Sequence, residues 1–113
     1  MSRLKDCYKC SLDLTFDLIG GKWKLRILWH VMNGDNRFSL LLKGIPDITE
    51  KMLTTQLREL CEDGLLVKHV ICEKPINIQY ELSDKYIKMQ EIINTLCDFS
   101  KYYGSENNIE VRE

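Results

Sequence analysis

A mainly α-helical domain carrying one small β-hairpin is the fold this sequence predicts, on three observations. The stretch Thr49–Tyr80, TEKMLTTQLRELCEDGLLVKHVICEKPINIQY, reads as a capped amphipathic helix, a glycine stop and two strands joined by a basic turn. Lys22–Met32 is apolar on more than one face, as a helix central to a core must be. After Ser83, the residues Tyr86, Met89, Ile93 and Leu96 keep the 3-4 rhythm of a helix–helix seam. With 113 residues, 44% of them hydrophobic and 29% charged, the chain suits one globular domain that buries a core without metal or disulfide staples.

Each element follows from local signals. Residues 1–10 read as a flexible N-terminal segment and 104–113 as a flexible tail, SENNIEVRE being polar and short of core residues; 11–103 is then the domain. Ser11 can cap a first helix through Leu12, Phe16 and Ile19, stopped by Gly20–Gly21. Lys22–Met32 follows, with Trp23, Ile27 and Val31 on one face and Leu25, Trp29 and Met32 on another. The cluster NGDN (Asn33–Asn36) is a turn, and Phe38–Lys43 a short helix closed around Pro46. Thr49 is a good N-cap, with Glu50 in the first turn where the helix dipole favours a negative charge. Leu53, Leu57, Leu60 and Cys61 form one stripe; Lys51, Thr55 and Arg58 lie opposite, with Thr54 at the edge. Gly64 suits a left-handed helix terminus. Leu65–Glu73 and Ile76–Leu82 make a hairpin whose turn holds Lys74 and Pro75, and Ser83 caps a last helix whose stripe Ile92 and Phe99 widen.

This order is that of a winged helix-turn-helix. An amphipathic helix that packs by one stripe and shows hydrogen-bond donors on the other has what a DNA recognition helix needs. The net charge of −1 does not exclude DNA, because distribution matters more than the total. From Gly20 to Leu60 the basic residues Lys22, Lys24, Arg26, Arg37, Lys43, Lys51 and Arg58 outnumber Asp35, Asp47, Glu50 and Glu59 by three.

The segments DLIGGKWKLRIL, RFSLLLKGIPDIT, LTTQLRELCEDGLL and IQYELSD together resemble the HxlR-type transcriptional regulators, small dimeric winged-helix proteins distantly related to the MarR type. The resemblance runs from about Cys10 to Phe99. It implies control of transcription by a homodimer on a palindromic double-stranded DNA operator. It makes Thr49–Asp63 the recognition helix, contacting DNA through Thr49, Lys51, Thr54, Thr55 and Arg58, with Arg37 gripping a phosphate. The wing is then Glu73–Asn77. Lys74 keeps a positive charge there, while Asn77 stands where many members carry an arginine suited to the minor groove. Leu40 and Leu42 fall at positions usually polar in the family. Cys10 matches an N-terminal cysteine that senses oxidants or reactive aldehydes in some members, which implies a redox role for it with Cys7 as resolving partner.

Other chemistry is sparse. Cys7 and Cys10 form a CxxC, half of a zinc site with no second half, so no metal and no cofactor is expected. Cys61, Cys72 and Cys97 sit at apolar-side positions and read as small core residues. His30 and His69 stand alone, Asp13 and Asp17 fit a solvated face, and no nucleophile–base set is present, so the chain is not read as an enzyme. Leu12, Phe16, Ile93, Leu96 and Phe99 supply the apolar surplus for a dimer, and Tyr102 and Tyr103 pack the helix end against a partner. No apolar run approaches a membrane span and MSRLKDCYKC lacks the apolar core of a signal peptide, so a cytoplasmic protein with no membrane partner is expected. Two other classes remain: a winged-helix module that binds protein and never DNA, and a thiol-based redox or metal-binding protein.

Overall fold

A computed structural model describes residues 3–112; Met1, Ser2 and Glu113, assigned from sequence to flexible ends, lie outside the described residues. The helices α1 (Ser11–Ile19), α2 (Lys24–Met32), α3 (Phe38–Gly44) and α4 (Glu50–Glu62) lead into an antiparallel hairpin, β1 (Leu66–Glu73) and β2 (Ile76–Leu82). A 3-10 turn, Asp84–Tyr86, precedes the long α5 (Met89–Glu106). The winged helix-turn-helix order is as the sequence implies.

Helix α2 is the hub, packing against α3, α4, α5 and β2. Its Ile27 and Leu28 are wholly buried, and Leu41, Ile45, Leu53, Leu60 and Leu66 close around them. Burying seven such side chains is the main driving force holding the helices in place, each contributing roughly 1.5–3 kcal/mol. The hairpin is fastened to the helical part by backbone: the Tyr80 N–H donates to the Asn36 carbonyl at 2.8 Å, tying β2 to the turn before α3. Its register pairs Val67 with Glu81 and Val70 with Ile78, and slips at Ile71, the extra residue before Cys72 meets Asn77. Beyond Leu66 every residue of β1 is exposed, so Cys72 is a surface thiol and not a core one.

Three boundaries differ from expectation. Ser11 is already helical and Cys10 holds the N-cap position, without a side-chain cap hydrogen bond. Ser83 does not cap α5; it opens the 3-10 turn, where the Tyr86 N–H bonds the Ser83 carbonyl at 3.0 Å, so Tyr86 leaves the α5 seam. At the other end α5 runs past Tyr103 to Glu106, and the tail reverses over it. Asn108 takes the left-handed conformation (φ 57°) and the Ile109 N–H bonds the Gly104 carbonyl at 2.8 Å. A Cβ at Gly104 would stand 2.7 Å from the Ile109 carbonyl oxygen, so only glycine admits this turn.

Candidate nucleic-acid interface

Helix α4 is delimited as its sequence dictates. Thr49 Oγ1 accepts from the Met52 N–H at 3.1 Å, satisfying one orphan donor of the first turn. At the other end Gly64 adopts φ 79°; its N–H bonds the Cys61 carbonyl and that of Leu65 bonds Leu60, each at 3.0 Å, a Schellman motif. Leu53, Leu57 and Leu60 are buried, anchoring the helix by one stripe.

The outward face is Lys51, Thr54 and Arg58, all exposed, while Thr55 is half-buried. The sequence wheel gave the two threonines opposite roles. A wheel records only a helix's own stripe, and α4 is flanked by α2, α3 and β1, which together cover more than the leucine side. Arg58 pairs with Glu62 at 3.4 Å, both side chains more than half exposed. Such a pair contributes at most ~1 kcal/mol, so it holds Arg58 in place only weakly. Thr49 and Arg37, the residues before α4 and α3, are exposed, as is Lys74 in the wing turn, whereas Asn77 is half-buried. Of the two unusual leucines, Leu40 is exposed apolar surface and Leu42 packs at the core margin.

Lys24 departs from the basic face. It is 6% exposed, and its Nζ donates to Glu59 Oε1 at 2.6 Å, so it serves as an internal tie between α2 and α4. Arg3 reaches the same Glu59 at 3.3 Å and also pairs with Asp63. The Lys24 hydrogen bond holds the Glu59 carboxyl below its usual range, whereas burial pushes Asp63 upward despite Arg3. Sequence reasoning missed this cluster because its partners lie 35 and more residues apart. The N-terminal segment, expected to be flexible, is thus tied to the domain: Arg3 also donates to the Asp17 carbonyl at 2.6 Å, and the Tyr8 hydroxyl to the Asp17 carboxylate at 2.7 Å.

Apolar surface concentrates elsewhere, on α1 and α5. Leu12 and Phe16 are 72% and 70% exposed, and Leu96, Phe99, Tyr102 and Tyr103 are also exposed. Ile93 is not among them. At 3% exposure it belongs to the protomer's own core, so its assignment to a dimer surface is corrected: the seam's rhythm faces inward at this position.

Cys7 and Cys10 are exposed, while Cys61 and Cys97 are half-buried. Burial pushes the Cys61 thiol up, as fits a small core residue. His30 is buried with its Nδ1 2.9 Å from Asp35 Oδ2, and His69 Nε2 lies 2.7 Å from Glu81 Oε1 across the hairpin. Among the described residues no three His, Cys, Asp or Glu side chains converge as a metal site, and no helix is long and apolar enough to cross a membrane.

Comparison with known proteins agrees with this geometry. The chain is 41% identical over 100 residues to an HTH-type transcriptional regulator of Methanothermobacter thermautotrophicus, covering 88% of this chain and 76% of that one. The crystal structure of the HTH-type transcriptional regulator YtcD superposes with a TM-score of 0.77 at 38% identity, covering 83% of this chain and 96% of the other. The redox regulator HypR in its oxidised form superposes with a TM-score of 0.75 at 35% identity, over 90% and 100% of the two chains. The HxlR-like helix-turn-helix family model matches residues 18–108, and the chain belongs to that family.

Proposed function

We propose that this protein is a DNA-binding transcriptional regulator that works as a homodimer on a palindromic operator and responds to oxidants or electrophiles through Cys10. The observation that carries the reading is α4: capped at both ends, pinned by three buried leucines, and presenting Lys51, Thr54 and Arg58 outward with Arg37 exposed ahead of α3. One short helix spans only part of a major groove, so useful specificity calls for two copies related by a twofold axis. The exposed Leu12, Phe16, Leu96 and Phe99 supply a surface for that axis. The relatives' names, HTH-type transcriptional regulators, support the same assignment.

Arg58→Ala tests the interface. It should weaken specific binding by about 1–3 kcal/mol if Arg58 reads a base, or lower the salt slope by about one if it holds a phosphate. Unchanged affinity with unchanged salt dependence removes Arg58 from the interface; duplex binding retained when both Lys51 and Arg58 are neutralised favours a protein-binding role for α4. The thiol response rests on the exposure of Cys10 at the start of α1 and of Cys7 three residues before it, and on the likeness to a redox regulator. Diamide titration followed by DNA binding decides it: a Cys10→Ser variant that responds as the wild type does places the sensor elsewhere.

A further inference from the structure

The C-terminal end of α4 carries the wrong charge for a helix terminus. Unpaired carbonyls leave that end partially negative, so cations stabilise it and carboxylates do not. Yet Glu59, Glu62 and Asp63 crowd there, and the last turn contains no basic residue. Arg58 pairs with Glu62 on the exposed face and acts on Glu59 only as the last and weakest of its cationic neighbours. The compensating charge comes from outside the helix: Lys24 of α2 on Glu59, and Arg3 on both Glu59 and Asp63. Through its third contact, the Asp17 carbonyl in the last turn of α1, the Arg3 guanidinium ties the N-terminal segment, α1 and the end of α4 together at one point. The Tyr8–Asp17 hydrogen bond fastens the intervening segment along α1.

We propose that Arg3 is a positioning residue for DNA recognition, acting through Glu59 and Asp63 to fix the angle at which α4 leaves the core. The proposal rests on α4 being the recognition helix. Glu59 lies about 100° around the helix from Arg58, so Arg3 acts from the flank and not from the outward face. Without Arg3 the helix does not unravel, since the cap, the leucine stripe, the Schellman motif and Lys24 all remain. Asp63, whose side chain is only 6% exposed, loses its cation, and the last turn shifts to hydrate it.

The test compares wild type, Arg3→Ala and Arg3→Lys on a palindromic duplex selected from a random-sequence library with the wild-type protein, and on a scrambled duplex. Arg3→Ala should weaken specific binding about three- to tenfold while leaving scrambled-duplex affinity, salt slope and dimerisation unchanged. Arg3→Lys, which retains the charge and loses the forked geometry, should fall between. In an Asp63→Asn background Arg3→Ala should add less than it does alone, and amides at the end of α4 should exchange faster in Arg3→Ala. A salt slope lower by about one overturns the proposal, because Arg3 would then hold a phosphate itself. So does unchanged specific affinity in Arg3→Ala when Arg58→Ala is weakened. If neutralising both Lys51 and Arg58 also leaves binding as in the wild type, the assignment of α4 falls, and this proposal with it.

Discussion

Phe16 projects from α1 with 70% of its surface exposed, so replacing it with alanine removes almost nothing from the protomer's own core. The stability of an isolated domain should change by no more than about 0.5 kcal/mol. A dimer interface is different. A phenylalanine carries roughly 150–250 Å² of surface, so the exposed share is roughly 100–170 Å², and covering it contributes about 2.5–4 kcal/mol. Allowing for the methyl that alanine keeps and for imperfect burial, about 2 kcal/mol is lost per subunit. A twofold axis counts the loss twice, which raises the dimer Kd by roughly three decades. Sedimentation velocity across a concentration series measures this directly, with thermal unfolding in parallel. Ile93→Ala is the contrasting control: it opens a cavity in the protomer core and should cost about 2–5 kcal/mol of stability. A Phe16→Ala protein that dimerises with wild-type affinity would refute the assignment of α1 to the axis, and a wild type that stays monomeric at micromolar concentration would refute the dimer.

Acid should weaken the α2–α4 tie. Glu59 is held below its ordinary range by Lys24, so its contribution is present above that range and is lost as pH falls through the lowered value; Asp63, raised by burial, opposes folding when ionised and is relieved over the same descent. Glu59→Gln should therefore show a shallower decline in melting temperature between neutral pH and about pH 3 than wild type does, and parallel profiles would discount the pair. Thiol labelling provides another check. With its thiol pushed up by burial, Cys61 should react with iodoacetamide more slowly than the exposed Cys7, Cys10 and Cys72, as peptide mass spectrometry of a time course reads out; equal rates would contradict the packing described for α4.

Local grammar made the elements legible. Thr49 and Gly64 delimit α4 because capping and left-handed turns involve residues a few positions apart, and the Lys74–Pro75 turn set the hairpin in the same way. What the chain hid was set by distant partners. Lys24 looked like part of a basic face until Glu59 was folded against it, and Arg3 looked like part of a loose end until it met Asp63. Thr54 and Thr55 exchanged roles because neighbouring elements, not the leucine stripe alone, decide what α4 covers. Ile93 fitted an interface rhythm that the protomer uses inwardly, since a seam of period 3-4 looks the same whichever helix it meets.

The hydrogen bond from the Tyr80 amide to the Asn36 carbonyl has a consequence for operator architecture. It sits one residue before Arg37 and on the strand that leads down from the wing, so it couples the α3 entrance to the base of the hairpin. If Arg37 and Lys74 meet phosphates as proposed, the interval between those contacts within a half-site is constrained by this tie. In the proposed dimer, tolerance for inserted or deleted base pairs between half-sites would then be absorbed where the two protomers join. A series of operators differing only in spacer length would gauge the stiffness of that joint, leaving the reading head unchanged.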